Sequence, residues 1–159
     1  MKSLIVCTLV ALAGAGFLLP PDALTRADEE EAIKRVLLAE TDFFFARDYD
    51  GWASTFVKEP GAIQIWNNGD GSYTHSVGWE TISKNVKAFM ESHPEPNTTT
   101  LWRENFAFRH YGDAAFVTFD KYMGDRETAK PIKEIRVVEK QGGEWKIVCV
   151  AAFIDYVKV

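Results

Sequence analysis

The sequence predicts an α+β fold in which three helices pack on one strongly curved antiparallel sheet. Three observations carry that prediction. Up to Ser92 the chain contains three segments with apolar residues at helical spacing, and after Pro96 it changes to long segments that alternate with period two. Clusters of Gly, Asn, Asp and Pro separate the segments at short intervals. Helices gathered ahead of a meander let the sheet bend around them, and a bent sheet makes a hollow.

Taken in order, Met1-Lys2-Ser3 is a short cationic start, and Leu4 to Leu19 is an apolar run of 16 residues closed by Pro20-Pro21. A membrane-spanning helix needs about 20 apolar residues, so this run suits the core of a secretory signal peptide, with a retained anchor as the alternative. Cleavage fits after Ala15 or after Ala27. With the later site, residues 1–27 form the signal peptide and 28–159 the folded domain, exported to the periplasm or secreted, with no stable membrane anchor after cleavage.

Asp28-Glu29-Glu30-Glu31 places acids at the dipole-favoured end of a helix whose apolar residues are Ile33, Val36, Leu37 and Phe44, ending near Arg47. Asp48 caps a short second helix through Trp52 and Phe56, stopped by Glu59-Pro60. Ala62 to Trp66 and Tyr73 to Val77 flank the turn Asn67-Asn68-Gly69-Asp70-Gly71-Ser72, so this stretch is a hairpin. The turn lacks the regular carboxylates and the closing Glu of a calcium loop. Trp79 to Ser92 is the third helix, through Ile82, Val86 and Phe89, and His93-Pro94-Glu95-Pro96 ends it. The rest is a meander of about four strands broken at Tyr111-Gly112-Asp113, at Gly124 to Pro131 and at Gly142-Gly143. The run from Thr98 to Tyr111 is long for a strand and requires curvature or a bulge.

With 159 residues, 47% hydrophobic and 26% charged, the chain holds one globular domain. Its net charge is −5 and its 18 Lys and Arg are dispersed, which argues against nucleic acid as a partner. Cys7 and Cys149 cannot make a disulfide framework or a zinc site, and Cys149, among Val148, Val150 and Ala151, reads as a small apolar filler. The histidines His75, His93 and His110 are too widely spaced for short-range ligand pairing, so neither a metal nor a cofactor is expected.

The element order, together with Ala46-Arg47-Asp48-Tyr49-Asp50-Gly51-Trp52, Gly78-Trp79-Glu80-Thr81-Ile82 and Gly143-Glu144-Trp145-Lys146-Ile147-Val148, resembles the SnoaL-like branch of the nuclear transport factor 2-like superfamily. The resemblance covers about Glu30 to Phe153. It implies a conical α+β barrel, often dimeric through the sheet, with a pocket between sheet and helices. The superfamily includes cyclases, isomerases and dehydratases as well as binding and assembly domains, so fold alone does not fix function. Two departures matter. Where steroid-isomerising members carry a carboxylate base this chain has Ile63-Gln64-Ile65-Trp66, and where many SnoaL-like sequences carry last-strand histidines it has Cys149 and Ala151. Neither replaces an imidazole as a base near neutral pH.

Strand alternation then suggests what faces the hollow. Trp102, Glu104, Phe106, Phe108 and His110 share one face, with Arg103, Asn105 and Arg109 on the other. A turn at Gly112-Asp113 sets His110 opposite Ala115, Phe106 opposite Phe119 and Glu104 opposite Lys121. A turn at Gly142-Gly143 sets Arg136 opposite Cys149 and Glu134 opposite Ala151. The expected result is a charged cluster of Glu104, Lys121, Glu134 and Arg136 inside an aromatic wall, and charges enter such a place only when paired. It reads either as a structural salt-bridge network or as a ligand pocket in which Arg136 or Lys121 orients a polar group while Trp66, Trp102 and Phe106 pack the apolar part. If Trp66 opposes Tyr73, then Gln64 opposes His75, which becomes a candidate proton-transfer group. His93 and His110 are expected to face solvent. Glu40, between Leu37 and Phe44, either reaches the pocket or snorkels outward.

Three functions follow as expectations. The first is an exported protein that binds a small hydrophobic or aromatic molecule, with the seven pocket residues Trp66, Trp102, Glu104, Phe106, Lys121, Glu134 and Arg136. The second is a cofactor-free isomerase, dehydratase or cyclase with His75 or Glu104 as base and Arg136 or Lys121 stabilising an enolate. The third is an assembly module, a homodimer formed through an apolar face of Ile135, Val137, Val148, Val150 and Ile154.

Overall fold

The computed structural model describes residues 21–68 and 70–154, so the expected signal segment falls largely outside the described residues. Helix α1 spans Pro21–Ala46 and begins ahead of the acidic run. Its apolar spacing does what helical geometry requires: Ile33 and Leu37 are buried, and Val36 and Phe44 pack beside them. No described helix is long and apolar enough to cross a membrane. Arg47 ends α1 with φ of +64°, a conformation that usually selects glycine. Here the side chain compensates, its Nη1 donating to the Phe44 carbonyl at 2.8 Å and its Nε to the His93 carbonyl at 2.7 Å.

Helix α2 spans Tyr49–Ser54 and is capped as expected by Asp48, which accepts from the Gly51 N–H at 2.9 Å. It stops before Phe56 because the chain turns there to pair with a later strand: Ile147 donates to the Thr55 carbonyl and Val57 to the Ile147 carbonyl. Trp52 is fully buried, stacked on Trp79 at 5.7 Å and against Phe56 at 4.7 Å. The hairpin is β1 (Ile63–Asn67) and β2 (Tyr73–Val77). Helix α3 (Trp79–Ser92) follows Gly78, whose φ of +84° accounts for the glycine at that corner. Strands β3 (Leu101–Tyr111), β4 (Ala114–Met123), β5 (Ile132–Gln141) and β6 (Glu144–Phe153) complete the chain.

The described strands form one sheet of order β2-β1-β6-β5-β4-β3. All neighbours are antiparallel except β1 and β6, which pair in parallel. The order leaves β2 and β3 as separate edges, so the curved sheet is a cone that does not close into a barrel. Two bulges bend it, one between Glu104 and Ala107 in β3, where Asn105 takes φ of +57°, and one between Val137 and Val138 in the β5–β6 pair. The apolar core, including Ile33, Trp52, Ile82, Val117, Val138 and Ile147, lies between the inner sheet face and the helices.

The bulges, and in the β1–β2 hairpin the turn between Asn67 and Tyr73, change several expected pairings. His110 does oppose Ala115, but past the bulge Arg103, not Glu104, opposes Lys121. Glu104 opposes Asp120 and is exposed. On the other side Arg136 opposes Val150 and Glu134 opposes Ala152, each one residue beyond the expected partner. Asn67, not Trp66, opposes Tyr73, which sets Gln64 opposite Ser76 and turns His75 outward beside Ile65. Because side chains alternate, each one-residue slip exchanges faces. The expected apolar outer face loses members for the same reason: Val150 and Ile154 line the interior, and Val148 packs against the core.

Candidate functional site

A cavity of about 590 Å³ lies between the inner sheet face, α1 and α3. Its floor is built from rows of side chains that cross the sheet. In one row Ser76, Gln64, Val150 and Arg136 stand on β2, β1, β6 and β5. In the next, Thr74, Trp66, Ala152 and Glu134 repeat the order. Lys121 on β4 extends the lining toward the β3 edge, where Arg103 pairs with it just outside the cavity wall. The helices close the space above with Glu40, Thr41, Phe44 and Phe45 from α1 and Asn85, Val86 and Phe89 from α3.

The charged part is a buried triad. Glu134, 1% exposed, meets Arg136, 4% exposed, through one carboxylate oxygen and Lys121 through the other. Arg136 Nη1 also donates to the Ile135 carbonyl at 3.2 Å. Withdrawing one carboxylate and two cations from water costs several kcal/mol per ion, which mutual attraction offsets only while all members are present. Arg103 lies at the edge of this group, donating to Thr41 Oγ1 at 2.5 Å. Arg103 and Arg136 both sit over the Phe119 ring, at 5.8 Å and 5.5 Å from its centroid. Burial holds the Arg103 guanidinium below its ordinary pKa, a shift opposed by nearby Glu40.

Glu40 resolves inward. It is 9% exposed, accepting from Trp52 Nε1 at 3.2 Å and from Thr41 Oγ1 at 2.9 Å, and it lines the cavity. On the β1–β2 side the polar groups are neutral: Asn85 donates to Ser76 Oγ at 3.1 Å, while the Gln64 amide, though the residue is only 6% exposed, has no hydrogen bond among the described residues.

Of the expected pocket residues, Trp66, Lys121, Glu134 and Arg136 meet at this cavity. Trp102 is on the opposite face, stacked on Tyr122 at 5.1 Å beneath the Arg126 guanidinium at 4.6 Å. Phe106 points inward but packs against Phe119 and the core instead of lining the cavity wall. The two candidate bases, Glu104 and His75, are both exposed and outside the cavity lining. His93 is exposed as expected, whereas His110 is half-buried, 3.4 Å from Glu30. Cys149 is half-buried, and burial pushes its thiol pKa up, as for an unreactive filler.

Sequence alternation missed Arg103 because the bulge returns it to the inner face; the available signal was Asn105, a residue type that tolerates positive φ inside a strand. Among the described residues no group of three or more His, Cys, Asp and Glu is placed to hold a metal ion. The wall therefore offers guanidinium and ammonium donors, two carboxylates and neutral amides and hydroxyls, with aromatic surface between them.

No protein-family model and no curated protein matches the chain. Solved structures do. An NTF2-like protein of unknown function from Pseudomonas putida aligns at 14% identity and TM-score 0.61 over 81% of this chain and 87% of its own. The association domain of CaMKII from C. elegans aligns at 18% identity and TM-score 0.62 over 80% and 97%. A protein assigned as a scytalone dehydratase from Novosphingobium aromaticivorans aligns at 13% identity and TM-score 0.60 over 82% and 86%. At such identities the likeness is one of architecture alone: the chain shares the α+β cone of these NTF2-like structures.

Proposed function

We propose that this chain binds a small, partly apolar molecule in the cavity between its sheet and helices, the polar end at Arg136 and Lys121 and the apolar part against Trp66. The observation that carries this reading is a cavity of 590 Å³, within the range of about 300–1,000 Å³ for small-molecule sites, lined mainly by aromatic and aliphatic groups with a few convergent polar ones. Thermal melting against a panel of aromatic acids, steroids and polyketide-like lactones tests it. A concentration-dependent rise in Tm for one class is expected, and no rise for any of them would refute it.

A second reading, cofactor-free acid–base catalysis, draws on the likeness to the scytalone dehydratase and on Glu40 at the cavity wall. Glu134 is engaged by two cations, so the base in this reading is Glu40, and unchanged turnover in Glu40→Gln would dispose of it. Assembly into a homodimer through the outer sheet face is supported by the likeness to the association domain and by exposed Tyr73, Val77 and Phe153 beside Ile135 and Val137. Light scattering that gives a monomer removes it. Export, to the periplasm or beyond the cell, rests on the Leu4 to Leu19 run, and fractionation of expressing cells tests it.

A further inference from the structure

The charge and the hydrogen-bonding groups of the cavity specify what kind of molecule it takes. This inference rests on the binding reading above and narrows it. Lys121 and Arg136 line the cavity against two carboxylates, Glu40 and Glu134, and Arg103, just outside the lining and held by Thr41, adds a third cation beside them. Asp42 also acts on Arg103, but it is exposed, where water and salt screen it. One positive charge in the interior thus lacks a buried counter-ion among the described residues, a state that an anionic occupant relieves.

Unused donors mark the part of the wall that can take an anion. Arg136 employs only Nη1, toward Glu134 and the Ile135 carbonyl, so its Nε and Nη2 make no hydrogen bond among the described residues. These two N–H groups form the edge of a guanidinium that matches a carboxylate with two parallel hydrogen bonds. A second unused group marks the far end. Gln64 and Arg136 flank the same residue, Val150, one from each neighbouring strand. Their Cα atoms are therefore two strand spacings apart, about 10 Å, with Val150 and Ala152 as a low apolar floor between them. Trp66, Phe44 and Phe89 supply flat surfaces around that floor.

We propose that the cavity takes an aromatic or fused-ring monocarboxylate, its carboxylate on the free edge of Arg136 and a distal hydroxyl or keto oxygen at the Gln64 amide. Lys121 completes the positive end, and the ring system lies over Val150 and Ala152.

Calorimetric titration of the full chain with 6-hydroxy-2-naphthoate, its primary amide and 2-naphthoate tests the proposal. The amide keeps the shape and removes the charge, so the acid is expected to bind at least about tenfold more tightly. An amide that binds as well as the acid overturns the proposal while leaving the cavity reading intact, because a ligand still binds. No binding by any of the three overturns the proposal, and joined with no rise in Tm across the wider panel of steroids and lactones it overturns the cavity reading as well. Arg136→Met is expected to erase the preference for acid over amide, and a preference that persists overturns the placement of the carboxylate. Since that variant leaves buried Glu134 short of a partner, Gln64→Leu provides an independent arm: it is expected to erase the preference for 6-hydroxy-2-naphthoate over 2-naphthoate. A preference kept in Gln64→Leu overturns the placement of the distal oxygen.

Discussion

Strand β5 supplies ion pairs to both faces of the sheet, and the two sets differ in surroundings more than in chemistry. On the inner face Glu134 and Arg136, both nearly fully buried, join Lys121. On the outer face Lys133, with its side chain 65% exposed, meets Asp120 at 2.5 Å, and Asp120 also accepts from Asn105 at 2.9 Å. Water surrounds the outer lysine and has left the inner triad. The inner charges are consequently interdependent, since removing one leaves the others desolvated without a partner, whereas in the outer pair the exposed Lys133 is dispensable because Asp120, itself 8% exposed, keeps Asn105. The buried network that costs so much to leave incomplete is also the one that lines the cavity.

The comparison is broken most severely by Glu134→Ala, which strands Arg136 and Lys121 and is expected to cost about 3–5 kcal/mol, a fall in Tm of roughly 10 °C in a thermal melt. Replacing the whole triad, with Glu134→Leu, Lys121→Met and Arg136→Met together, sharpens it. Stability is expected to return to within about 2 kcal/mol of the parent while binding of 6-hydroxy-2-naphthoate is lost, which separates the fold's need for the charges from the ligand's. Trp52→Phe keeps an aromatic ring in the core but removes the donor to Glu40, for an expected loss of about 1–3 kcal/mol by chemical denaturation.

Lys133→Ala is the mildest, less than about 1 kcal/mol and smaller still at high salt. Its pH dependence has a definite sign. The hydrogen bonds from Lys133 and Asn105 hold the Asp120 carboxyl below its ordinary value of 3.8. The contribution of the pair is therefore present above that value and lost as pH falls through the lower, folded-state pKa. The difference in stability between parent and Lys133→Ala should be constant near neutrality and vanish in acid; a difference that grows on acidification would contradict the assignment.

How much of this was legible in the sequence depended on which periodicity carried it. The helical spacing of Ile33 and Leu37, and of Ile82 and Val86, was sufficient for α1 and α3, because those positions bury one face whatever the neighbours do. Glu134 and Arg136 were legible as one face because they are two apart on a strand and stay together under any register, whereas Lys121, on β4, was reached only by a count from the Gly112-Asp113 turn. Glu104 and His75 were placed by counting residues from a turn, and a single bulged or displaced residue reverses such a count. Arg103 entered the interior by the same reversal that sent Glu104 out. Glu40 could not be assigned from sequence because a long side chain at a helix boundary position reaches either way; the Trp52 indole and the Thr41 hydroxyl, brought near by the turn into α2, draw it inward.

The parallel pairing of β1 with β6 joins Ile63 to Cys149 and Gln64 to Val150, residues separated by most of the chain. Neighbouring members of each row of the cavity floor thus come from segments that a ribosome produces far apart in time, and until the later one emerges Gln64 and Trp66 have no companion strand on that side. Closing so large a loop is entropically slow, so the cavity floor should be among the last parts of the molecule to acquire its native order, well after the local β4–β5 and β5–β6 ribbons have formed.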